Sequence, residues 1–143
     1  MVRLFVRVAG PRPDFRLVLA FVWADADTDT DGNSRNLASR EWTELYAQNR
    51  GRPDEMFNVF PASAEPLVLQ VQSEYDWLAA AVTHLLAEAT GGGVSDQAAG
   101  PFGPAASMLS RVGGFDVPAA WERFRASPFQ RATLDDPYPN LRG

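Results

Sequence analysis

Residues 66–96, PLVLQVQSEYDWLAAAVTHLLAEATGGGVSD, change hydrophobic period once, and that change decides the fold. Leu67, Leu69 and Val71 alternate with Val68, Gln70 and Gln72, the period of two that lays one row of a strand on a buried face. From Leu78 the spacing becomes three and four. Leu78, Ala81, Val82, Leu85, Leu86 and Ala89 then line one side of a helix. Ser73 stands at the N-cap, Asp76 makes a shortened capping box, and Glu74 and Asp76 set negative charge at the positive helix end. Gly91–Gly93 stop the helix, and Val94-Ser95-Asp96 begins a short strand. A right-handed crossover would set that strand parallel to Leu67–Val71.

Upstream, Val2, Leu4, Val6 and Val8 alternate with Arg3 and Arg7 as a strand, and Gly10-Pro11-Arg12-Pro13-Asp14 makes a turn. Phe15 to Ala24 reads as a second, central strand, with Phe15, Leu17, Leu19, Phe21 and Trp23 on one face. Together they suggest an antiparallel hairpin. Asp25 to Asn33 reads as a loop, because four like charges and a glycine oppose both strand and helix. A helix capped by Ser39 is expected next, burying Ala38, Trp42, Leu45 and Tyr46 and ending at Gly51 and Pro53. Met56 to Phe60 is a short strand. Beyond Asp96, residues 97–104 are a loop and Ala105 to Val112 a short helix. A further helix starts at Asp116 with Pro118 in its first turn and ends at Pro128.

The expected architecture is a single α+β domain over 1–143. A four- to five-stranded, mostly antiparallel sheet carries helices and a short helical C-terminal cap, with an extended tail from about residue 133. The chain has 45% apolar residues and no apolar run near the ~20 residues that span a bilayer. Its N-terminus lacks the segment of a signal peptide, so a cytoplasmic location is expected and no membrane partner.

There is no cysteine, which excludes disulfides, thiol nucleophiles and cysteine-ligated zinc or iron–sulfur sites. A single histidine, His84, excludes two-histidine metal motifs. All thirteen basic residues are arginine, which removes Schiff-base lysines and the P-loop lysine. A net charge of −5 without a basic stripe argues against nucleic acid and suits a basic partner or a cation.

The Asp-rich stretch is the first candidate site. Asp27-x-Asp29-x-Asp31-Gly32 matches the front half of a calcium loop, where alternate carboxylates converge and glycine permits the turn. Its back half departs from the pattern: the ninth position is Arg35 and the twelfth, which should bring a bidentate Glu, is Ala38. Read as surface, Asp25, Asp27, Asp29 and Asp31 offer an acidic face to a basic protein. His84 reads as a half-buried structural residue, since no GxSxG presents a nucleophile to it. Thr90-Gly91-Gly92-Gly93 follows a helix C-terminus, where the dipole repels anions, so it is a cap and not a phosphate loop. Trp23, Trp42, Trp77 and Trp121 fall one per element, as core anchors do. No catalytic residue is assigned.

The run from Leu67 to Asp96, a strand, a helix ending LLAEATGG and a short strand reaching Asp96, resembles a pattern in small bacterial proteins. Some of these are immunity proteins of polymorphic toxin systems. The resemblance implies a non-enzymatic α+β binder that occludes a toxin, and it transfers no functional residue. The first functional reading is therefore a protein-binding domain, immunity-like, that uses an acidic surface against a basic partner. The second is a calcium-binding module on Asp27, Asp29 and Asp31. The third is an enzyme built on carboxylates or a small-ligand pocket.

Overall fold

A computed structural model of the chain describes residues 1–24 and 26–141. Strands β1 (Val2–Arg7), β2 (Thr28–Gly32), β3 (Leu45–Asn49), β4 (Arg52–Ala64), β5 (Leu67–Ser73) and β6 (Gly93–Ser95) form one sheet. Its order is β2-β3-β4-β5-β1-β6, and every pairing is antiparallel. Helices α1 (Phe15–Trp23), α2 (Asp76–Thr90) and α3 (Val117–Ala126) pack on it, with 3-10 turns at Ala105–Arg111 and Pro128–Arg131. This is the expected α+β class with a helical C-terminal cap, though the sheet has six strands among the described residues.

The registers align one buried row across the sheet. Leu4 lies opposite Val71, Val71 opposite Val59, and Val59 opposite Leu45. Val6, Leu69, Phe57 and Ala47 extend the same row, all at or below 2% exposure. Helix α2 covers this row against β1 and β5 and touches α1 and Ala105–Arg111 on its other sides. Every residue from Leu78 to Ala87 is consequently buried, a wider surface than the stripe predicted, while Ala89 is exposed. The opposite face carries Arg3, Arg7, Gln48, Asn58, Gln70 and Gln72, none of them buried.

The β5–α2–β6 unit follows the sequence closely. The α2 N-cap is Tyr75, without a side-chain cap bond, and Ser73 instead accepts from the Tyr75 N–H (3.2 Å) and donates to the Met56 carbonyl (2.8 Å). Strand β6 does run parallel to β5 in direction, but β1 lies between them and pairs antiparallel with both.

Three segments depart from expectation. Phe15–Trp23 is a helix, not a central strand, because nearly every position is apolar and either period can be drawn through it. What settles it is Asp14, fully buried, whose carboxylate accepts from the Arg16 N–H (2.9 Å) as an N-cap. Residues 39–44 are not helical, and Leu45–Asn49 is strand β3. Trp42 governs this change: 1% exposed, it donates its indole N–H to the Pro13 carbonyl (2.8 Å) and pins an extended segment under the core. The third is the Asp stretch, whose residues 28–32 form β2 at the sheet edge. The tail turns back on the domain, with Tyr138 beside Arg16 at 5.6 Å and the Leu134 carbonyl accepting from Asn36 (3.0 Å). No helix among the described residues is long and apolar enough to cross a membrane.

Candidate functional site

The acidic stretch predicted as a loop is for most of its length an edge strand, and the correction has a physical basis. Thr28 and Thr30 are β-branched, and the like charges beside them are partly neutralised across the β2–β3 ladder. The Arg50 guanidinium donates to Asp29 Oδ1 from Nε (2.8 Å) and Nη2 (2.5 Å), and its Nη1 reaches Asp27 Oδ2 at 3.3 Å. The hydrogen bond from Arg50 holds the Asp29 carboxyl below its ordinary range, opposed by desolvation and aided by the opposite charge. All three side chains are about half exposed or more, so this pairing is screened by water and salt. Asp31 turns back, and its Oδ1 accepts from the Gly32 N–H (2.8 Å). Asp25, the fourth carboxylate of the expected surface, lies outside the described residues.

A strand also changes what Asp27, Asp29 and Asp31 can do together. Successive strand residues rise by ~3.4 Å, which sets the Asp29 and Asp31 Cα atoms ~7 Å apart along β2, with Asp27 just before it, whereas a calcium loop folds its ligands to ~2.4 Å from one ion. Two of the three carboxylates share an arginine, and among the described residues no group of three or more His, Cys, Asp or Glu could hold a metal ion.

Among the described residues, strand β2 pairs only with β3. The Arg50 N–H bonds the Asp27 carbonyl (2.9 Å) and the Asn33 N–H the Glu44 carbonyl (3.2 Å), so the odd positions face β3. By the alternation of an antiparallel ladder, the N–H and C=O of Thr28 and Thr30 face away from it. Shallow grooves flank this edge. One of about 190 Å³ is lined by Phe15, Thr30, Asp31, Leu37 and Glu44. A second, of about 350 Å³, runs past Asp31 and Glu44 to Tyr46, Asn58 and Phe60. A third, of about 680 Å³, lies between α1 and α3 and is lined by Leu19, Thr28 and Phe129.

The sequence pointed to Asp27, Asp29 and Asp31 but not to Glu44, Arg50, Thr28 or Thr30. Arg50-Gly51 carries a readable hairpin signal, and Thr-x-Thr alternation is strand-like, but repulsion among the neighbouring aspartates opposes both until Arg50 is folded beside them. His84, by contrast, is buried rather than half-buried as expected. Its Nδ1 bonds the Ala105 carbonyl (2.9 Å) and its Nε2 accepts from the Trp121 indole N–H (3.2 Å). Gly91 is a left-handed C-cap (φ 70°), and the Gly92 N–H closes on the Ala87 carbonyl (2.9 Å), as the glycine run predicts.

Comparison with known proteins returns no matching family model, no similar curated protein and no similar solved structure.

Proposed function

We propose that this chain is a protein-binding domain that receives a basic protein partner on the acidic sheet edge. The observation that carries the reading is a charge imbalance at an exposed strand. Asp27, Asp29, Asp31 and Glu44 follow one another along that edge, and Arg50 pairs with Asp27 and Asp29. Neighbouring carboxylates repel one another, and a cationic surface relieves that repulsion while steering its own approach. The net charge of −5 extends the attraction beyond the contact. An immunity-type role, in which the bound partner is an occluded toxin, is the form of this reading that the resemblance of residues 67–96 suggests.

The test compares the protein with a variant carrying Asp27→Asn, Asp29→Asn and Asp31→Asn. A partner recovered from the native host and identified by mass spectrometry should have a basic isoelectric point. Its association with the variant should be slower, and the rate should depend less on salt, as loss of rim charge dictates. Equal association rates at low salt would overturn the assignment of this edge.

A further inference from the structure

We infer that the partner is taken up by strand addition, an extended basic segment pairing with the free edge of β2 through the backbone of Thr28 and Thr30. The inference rests on the basic-partner reading above and specifies how that partner binds.

The two edges of the sheet are treated differently. At the β6 edge, Gly103 returns both hydrogen bonds to Val94, N–H to carbonyl at 2.7 Å and carbonyl to N–H at 2.9 Å, so that edge is closed. At the β2 edge, the ladder leaves the N–H and C=O of Thr28 and Thr30 directed outward. Gly32 would have extended the open stretch, but its N–H is taken by Asp31. A free edge of this kind is a template for another strand.

Charge and groove geometry select the occupant. In a β ladder, residues directly opposite share a face. Residues of an added strand opposite Thr28 and Thr30 would therefore face the helical layer, where Phe15, Leu37, Leu19 and Phe129 line the flanking grooves. Those opposite Asp29 and Asp31 would stand beside carboxylates on the other face. The segment that fits alternates apolar and basic side chains. A second copy of β2 does not fit, because edge-to-edge pairing would bring Asp29 and Asp31 against their own kind.

The probe is a blocked peptide of alternating valine and arginine, compared with one of identical composition in which the valines precede the arginines. The alternating peptide should bind at least about tenfold more tightly and slow amide exchange at Thr28 and Thr30. Thr30→Pro removes an outward N–H and no bond to β3, so it should cost about tenfold in affinity while Thr30→Val does not. Methylating alternate backbone nitrogens of the peptide should give the same loss with no change to the protein. Equal binding of the two peptides, or indifference to both the proline and the methyl groups, would overturn strand addition. If Asp27→Asn, Asp29→Asn and Asp31→Asn together still abolish binding in that case, the acidic-edge reading stands without it. If neither set of changes weakens binding, both readings fall.

Discussion

A Cβ built on Gly92 would lie 1.9 Å from the carbonyl oxygen of Arg7, so the turn between α2 and β6 is pressed onto the backbone of β1. The neighbouring Gly91 has nothing within 4 Å of such a Cβ and needs glycine only for its φ of 70°. The two glycines should therefore respond differently. Gly91→Ala should cost ~1–2 kcal/mol, the usual penalty for a left-handed alanine. Gly92→Ala must push β1 and the turn apart and should lower the denaturation midpoint further. A Gly92 variant as stable as the Gly91 variant would contradict this packing.

Leu85 is fully buried on α2. Leu85→Ala removes side-chain atoms and leaves a cavity that the surrounding helices and sheet fill only in part, so a loss of ~2–5 kcal/mol is expected. Chemical denaturation with an unchanged midpoint and slope would show that this helix does not sit against the sheet.

The Trp121 indole has only a proton to give, so the His84 Nε2 that faces it must be the unprotonated nitrogen, with the proton on Nδ1 toward Ala105. Nitrogen NMR should find that single tautomer. His84→Phe would leave an indole N–H and a carbonyl without their partner and should destabilise by ~1–3 kcal/mol. Mixed tautomers would show that α3 and the Ala105–Arg111 turn are not tied to α2 through this ring.

Tyr75 donates its hydroxyl to Asp54, and that bond is the main cause holding the Asp54 carboxyl below its ordinary range. Reciprocally, the same bond is the first cause pushing the Tyr75 phenol up. The signs follow by linkage. The depressed carboxyl contributes stability above its unfolded pKa of ~3.9 and loses it as pH falls through the lower folded value. The raised phenol contributes below ~10 and loses it as pH rises through the higher folded value. Tyr75→Phe should move the Asp54 titration upward in a carboxyl NMR experiment, and an unmoved titration would remove the bond.

Millimolar calcium should leave the melting temperature unchanged, because β2 holds Asp29 and Asp31 in extended backbone, with Asp27 just before it, and Arg50 already engages Asp27 and Asp29. A calcium-dependent rise that disappears with Asp27→Asn, Asp29→Asn and Asp31→Asn would reinstate an ion site.

Where a segment's own side chains settle its state, the sequence sufficed. The period change at Ser73, the glycine stop after Thr90 and the Asp116 cap, whose carboxylate accepts from the Ala119 N–H at 3.1 Å, are local interactions that any reading of the chain can find. Phe15–Trp23 marks the limit. Its apolar residues satisfy both periods, and the helix is selected by the Asp14 cap together with the burial of Leu17, Val18, Phe21 and Val22. In residues 28–49 the local strand signals were weak, and tertiary structure decided the outcome. Trp42 reaches back to Pro13 across 29 positions, and Arg50 neutralises Asp29 across 21. Repulsion along β2 is visible in the sequence because the charges are neighbours. The arginine and the paired strand that overcome it, and the open backbone edge they leave behind, exist only once the hairpin has formed, since backbone pairing and charge compensation depend on distance in space rather than along the chain.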